Sequence, residues 1–150
     1  MSGDGDLIKL YSQRILALAA DIPHRTRLDN PQASAMKRSP LCGSTVTVDL
    51  TLKDGRIAEF GQDVKACALG QASAAIFGAH VIGLTRADVQ KLRDQLHDML
   101  KKNGPVPDAP FGEYEVLLPA RDYKNRHASI LLALDATLAA FAQIEASVSA

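Results

Sequence analysis

Apolar positions along this chain change their period several times, and each change marks an element. Between Asp6 and Ala20, Leu7, Leu10, Tyr11, Ile15 and Leu18 recur at helical spacing, with Asp4 or Asp6 as cap and Pro23 as stop. Residues 21–40 carry Pro23, Asn30-Pro31 and Pro40 and read as an irregular connection. Thr45 to Leu52 then alternates. Val46, Val48, Leu50 and Leu52 fall on one face, and Thr45, Thr47, Asp49 and Thr51 on the other, which predicts a half-buried strand. Lys53-Asp54-Gly55-Arg56 predicts a hairpin turn, because Asp-Gly supplies the positive φ angles that turn requires. Ile57 to Lys65 returns as a second strand, with Gly61 as its expected bulge. The pattern does not place a third strand.

The period then lengthens again. Gly70 to Ile82 predicts a helix of small residues. Thr85, followed by Asp88, caps a helix running to about Lys102, with Val89, Leu92, Leu96, Met99 and Leu100 as its stripe. Asn103-Gly104-Pro105 stops it, and Pro105, Pro107 and Pro110 form a stiff connector. Phe111 to Leu118 fits a short helix or an extended piece. Residues 121–127 form a charged lead-in to a long apolar helix from Ala128 to Val148. The predicted class is α+β: a small antiparallel sheet, with an N-terminal helix and C-terminal helices packed on one face. Residues 1–150 fit one domain, with no internal repeat.

Charge narrows the function. Seventeen basic residues balance seventeen acidic ones, and aromatics make up 5% with no Trp. Such a chain has neither the field nor the stacking surface for nucleic acid. No secretory signal pattern opens it, and no apolar run of bilayer-spanning length is evident, so a cytoplasmic protein is expected. Arg25, Arg27, Lys37 and Arg38 make residues 21–40 locally basic, which reads as a solvated face. There is no Ser-His-Asp arrangement and no phosphate-binding glycine loop, so an enzyme is not expected.

The candidate chemistry lies in the two cysteines. Cys42 precedes the first predicted strand and Cys67 follows the second. Cys42 lies 12 residues before Asp54 and Cys67 lies 12 after Gly55, so antiparallel pairing brings both to the open end of one hairpin. Cys67 also opens a helix, where unpaired N–H groups favour a thiolate. His127 opens the long helix in the same way. Two thiolates and an imidazole make three legs of a tetrahedral site or a partial cluster set. His24, His80 and His97 have no partner of this kind, and Asp63 reads as a strand-surface carboxylate.

These segments resemble a known family. Pro40-Leu41-Cys42-Gly43-Ser44 before a β run is similar to the first cysteine segment of iron–sulfur cluster assembly scaffolds of the IscU, SufU and NifU N-terminal type. Ala66-Cys67-Ala68-Leu69-Gly70-Gln71-Ala72-Ser73 resembles their second. Residues 121–135 resemble the third, where a basic stretch leads to a cysteine at a helix start. Asn30-Pro31 is a fainter echo, and the long interval from Cys67 to His127 resembles the SufU branch. The resemblance implies a small α+β domain with a three-stranded antiparallel sheet, and a metal or cluster site made of three cysteines and an aspartate at one end. Cys42 and Cys67 match the first two cysteines. Ser44 stands where the aspartate is expected. His127 covers the third cysteine, or precedes it if Ala128 does. Leu118-Pro119-Ala120-Arg121 stands where the IscU type carries a chaperone-recognition segment.

The resemblance therefore implies a scaffold that holds iron, zinc or a transient iron–sulfur cluster at Cys42, Cys67 and His127. It implies a cysteine desulfurase and apo iron–sulfur proteins as partners. Two other readings stand beside it: Cys67 as a persulfide acceptor in sulfur transfer, and an interaction protein that keeps the fold without the metal.

Overall fold

The computed structural model describes residues 12–149. Its elements are α1 (Gln13–Ala20), β1 (Ala33–Arg38), β2 (Thr45–Lys53), β3 (Arg56–Lys65), α2 (Ala68–Ala79), α3 (Arg86–Lys101), a 3-10 helix (Gly112–Asp122) and α4 (Lys124–Ser149). The strands form one antiparallel sheet in the order β1-β2-β3. This is the expected α+β architecture.

The third strand is β1, and it lies inside the segment read as irregular. Pro31 and Pro40 flank it, so the proline signals mark its ends. Only Ala33 and Ala35 of β1 are buried, which is too short an alternation to announce a strand. The β2–β3 hairpin forms where Asp-Gly places it, with Asp54 at φ 55° and Gly55 at φ 76°. Its register runs from Thr45 opposite Lys65 to Lys53 opposite Arg56. The irregularity falls opposite Thr51/Leu52, where Ala58 is the extra residue, and not at Gly61. Gly61 answers a different need: a Cβ there would collide with the carbonyl oxygen of Thr26, which crosses the sheet at that point.

One face of the sheet carries Val46, Val48, Leu50, Phe60 and Val64 into the core, where α4 packs across β1 and β2. The other face is covered at its centre by residues 26–28. Asp49 holds that cover. It is fully buried and accepts hydrogen bonds from Arg27 Nε (2.7 Å), Arg27 Nη2 (3.1 Å), Ser34 Oγ (2.6 Å) and the Leu28 N–H (3.0 Å). Burial alone would push its carboxyl up. The bonds from Arg27, Ser34 and Leu28, with the guanidinium charge, outweigh burial and hold it below the usual carboxylate range.

The helices follow their caps. Ser12 caps α1 by accepting from the Ile15 N–H; Asp4, Asp6 and the predicted helical turn before residue 12 lie outside the described residues. α2 begins at Ala68 and ends at Ala79, three residues short of Ile82. Thr85 and Asp88 form a reciprocal capping box for α3. The stretch after the proline connector is a 3-10 helix that extends to Asp122, so most of the expected charged lead-in is already helical. α4 starts at Lys124, which places His127 within its first turns rather than ahead of it.

By length and composition Lys124–Val148 is apolar enough to cross a membrane, which the sequence pattern did not suggest, yet 67% of its most apolar window is buried in the protein. Its composition is that of a core helix.

Replacing Asp49 by Asn should destabilise the fold by about 2 kcal/mol, the loss of hydrogen bonds to a charged group discounted for the half-exposed Arg27. The urea midpoint falls with little change in slope. The difference from wild type is full above the carboxylate's unfolded pKa. It disappears as pH drops through the depressed folded value, because protonated Asp49 no longer supplies the charge.

Candidate functional site

Cys42 sits in the turn that joins β1 to β2. The turn closes through Ser39 N–H to Ser44 O (2.8 Å) and Gly43 N–H to Ser39 O (2.9 Å), with Gly43 at φ 72°. This leaves Leu41 73% exposed and Cys42 half-buried. Cys67 is the N-cap residue of α2, also half-buried, and its side chain makes no cap hydrogen bond.

Two buried hydroxyls link these thiols. Cys42 Sγ lies 3.3 Å from Ser39 Oγ and 3.2 Å from Ser44 Oγ. Ser129, from α4, donates to Ser44 Oγ at 3.1 Å, and its own Oγ lies 3.6 Å from Cys67 Sγ. With Ser129 donating to Ser44, the Ser44 proton is free to point at Cys42, and the Cys67 S–H is left to donate to Ser129. The run of donors continues from Ser44 to Cys42, whose own S–H donates to Ser39 Oγ. Gly70 of α2 makes room for it, because a Cβ there would sit 2.6 Å from Ser129 Oγ.

This network sets the charge on Cys42. Burial pushes its thiol up. Hydrogen bonding with the Ser39 and Ser44 side chains, the Ser44 backbone and the Ser129 side chain more than offsets that and brings it to about 7, from an ordinary 9.0. The sequence placed thiolate stabilisation at Cys67, from the helix start. In the structure the hydroxyls of Ser39 and Ser44 are hydrogen-bonded to Cys42.

His127 does not join the thiols. It is 1% exposed, and its Nε2 lies 2.9 Å from Ala120 O and 3.1 Å from Arg121 O. Nδ1 lies 3.3 Å from Lys101 Nζ. These contacts require Nε2–H to donate and Nδ1 to accept, so the ring is neutral and both nitrogens are occupied. Burial lowers its pKa, against the carbonyls that raise it, and the Lys101 charge lowers it further. The helical phase explains the correction: Ser129, two residues on, faces the thiols, so His127 is turned to the side where α3 ends.

Among the described residues no three His, Cys, Asp or Glu side chains are grouped to hold a metal ion. The expected convergence of Cys42, Cys67 and His127 is therefore not formed in this structure, and the tetrahedral nitrogen–sulfur set that zinc requires is not assembled. Asp63 stays on β3 opposite Thr47, 4.0 Å from Lys65 Nζ. His24 and His80 pack edge-on against Phe60 and Phe111. Ser129 was missed by sequence reasoning. The signal for it was the small-residue pattern around Gly70, which makes room for a close neighbour.

Known proteins can now be compared with this geometry. A NifU-like protein (N-terminal), described as nitrogen-fixing, from Brucella abortus is 44% identical, over 94% of this chain and 98% of that one, with a TM-score of 0.90. The chain belongs to the NifU-like N-terminal family. A candidate iron–sulfur cluster assembly scaffold protein for the SUF system from the thermophile Fervidobacterium islandicum AW-1 shares the fold at 18% identity, over 89% of this chain and 97% of that one, with a TM-score of 0.79. A hypothetical protein shares it at 21% identity over the same coverages, with a TM-score of 0.74. No family model matches the chain, and no curated protein does. Within this NifU-like fold, the two cysteines and two serines at the sheet end are the candidate site.

Two predictions follow from this geometry. Cys42 should be alkylated by iodoacetamide with a half-maximal rate near pH 7, and Ser44→Ala should move that point up toward 9. The direction follows because the substitution takes away one of the hydrogen bonds that oppose burial. His127→Ala should cost about 1–2 kcal/mol in denaturant unfolding, since the buried Ala120 carbonyl loses its donor. It should leave the Cys42 pH profile unchanged.

Proposed function

We propose that this NifU-like chain is a non-enzymatic scaffold that carries an iron–sulfur cluster or its iron precursor as cargo, with Cys42 and Cys67 as its anchors. One observation carries the reading: two half-exposed thiols, on a tight turn and a helix N-cap, are tied to each other through Ser44 and Ser129. Family membership and the scaffold named for the SUF system support it.

The donor set fits cargo better than a resident metal. The chain has two cysteines in all, so further positions on a cluster fall to weaker or external ligands. Thiolate is the ligand such clusters use, and an under-ligated cluster near the surface is easily given up. In this role the partners are a sulfur donor of the cysteine desulfurase kind and apo iron–sulfur proteins that receive the cluster.

The Cys42 thiolate favours a second reading, sulfur acceptance. A thiolate attacks the outer sulfur of a donor persulfide, the S–S bond breaks, and the donor leaves as thiolate. The sequence assigned this role to Cys67; the hydroxyl donors favour Cys42 as the entry point.

Anaerobic reconstitution with ferrous iron and sulfide tests the scaffold. Wild type should develop visible sulfur-to-iron charge-transfer absorption. Cys42→Ala and Cys67→Ala should each lose most of it, and His127→Ala should keep it. No iron uptake by wild type, or equal spectra from both cysteine variants and wild type, would overturn the assignment in favour of a metal-free interaction protein.

A further inference from the structure

Beside the Cys42 turn runs a groove of about 570 Å³ between β1 and α4. Its walls carry Lys37, Arg38 and Arg93, and its floor is Leu132, Leu138 and Ala139. Asp135 is the carboxylate lining it, and it is already paired with Arg93 at 2.9 Å. The groove thus keeps the charge of Lys37 and Arg38 in a chain whose formal charge is zero overall. It ends at Ser39 and Pro40, and Ser39 Oγ touches the Cys42 sulfur.

β1 supplies a second feature. It is an edge strand, paired with β2 on one side only. The opposite edge of the sheet is treated differently. On β3, the Gln62 N–H donates to His24 O, the Ile57 N–H to Leu84 O, and Ile57 O accepts from Gly83 N–H. Loops cap that edge, whereas β1 is paired with no such loop among the described residues. Met36, in the middle of β1, is 57% exposed.

We infer that β1 and this groove receive an extended, acidic segment of a partner protein, which adds a strand to the sheet and ends at Cys42. An added strand satisfies the free backbone groups of β1, and its side chains alternate between two faces. Apolar residues on one face lie on Leu132, Leu138 and Ala139. Lys37 and Arg38 fall on opposite faces of β1, so an acidic residue meets a cation on whichever face it takes. Cationic residues on an edge ordinarily repel a second strand and guard against aggregation. Here they exclude a neutral or basic strand and admit an acidic one, which gives selectivity as well as attraction. The inference extends the scaffold reading by giving its sulfur or cluster partner a landing surface, but it needs no iron.

The test uses the metal-free full chain and a fluorescein-labelled peptide of alternating Glu and Val, matched to the six residues of β1. Fluorescence polarisation should show saturable binding that weakens with salt. Lys37→Glu/Arg38→Glu should weaken it about tenfold or more, and Asp135→Asn, which frees Arg93, should tighten it. N-methylation along one edge of the peptide should abolish binding, and along the other edge should not. Equal binding of a Lys-Val peptide, equal binding by the double variant, or displacement by a single-stranded oligonucleotide at the same charge concentration would overturn the inference. Failure here with normal cluster reconstitution rejects the landing surface alone.

Discussion

Both thiols are carried on chain ends whose positions are set by how β2 pairs with β3. Val46, Val48 and Leu50 must face α4, and Phe60 and Val64 must join them from the neighbouring strand. A slip of one residue along β2 would turn Thr47 and Asp49 inward and its valines out, so the buried face fixes the register. With Thr45 opposite Lys65, the chain leaves the sheet at the same end on both strands. The β1–β2 turn and the start of α2 are then neighbours, and α4 needs only one hydroxyl, that of Ser129, to bridge them. The site is a consequence of the core.

The same pairing explains why a carboxylate can sit at the centre of β2. Asp49 occupies the face opposite the core, where an open sheet would meet water. The connecting segment 26–28 covers it, and the carboxylate supplies that segment with hydrogen bonds it could not obtain from a valine. Gly61 gives the segment room to approach. Packing on one face and a single buried ion on the other thus hold a thin sheet from both sides. The two mechanisms fail under different conditions, since only the second is sensitive to acid.

Where the sequence speaks locally, it was readable. The Asp54-Gly55 turn, the alternation of β2 and the Thr85 cap each depend on residues close in the chain, and each appears where expected. β1 was hidden because an edge strand buries only two alanines and carries charge elsewhere, which is also the composition of a loop. The bulge moved from Gly61 to Ala58 because glycine serves both bulges and close approaches, and the crossing of Thr26 that decides between them is non-local. The proximity of Cys42 and Cys67 was legible from hairpin arithmetic. His127 was not, because a residue's place at a helix start says nothing about which side of that helix meets the site. That phase is set by how α4 lies on the sheet, and it gave Ser129 to the thiols and His127 to Ala120 and Arg121.

The serine bridge bears on how such a site would fill. Its donors run from Cys67 through Ser129 and Ser44 to Cys42, so the two sulfurs are not equivalent before anything binds. Cys42 lies on a turn beside the exposed Leu41 and near its own ionisation point at neutral pH. Cys67 must first release its hydrogen bond to Ser129. On the scaffold reading, cargo therefore meets Cys42 first and is secured by Cys67 second, and the reverse order releases it. A symmetric pair of buried thiolates would hold more tightly but would lack this graded exit. Ser44 is consistent with that design: it steadies the sulfur through a hydrogen bond without adding another strong ligand to be broken.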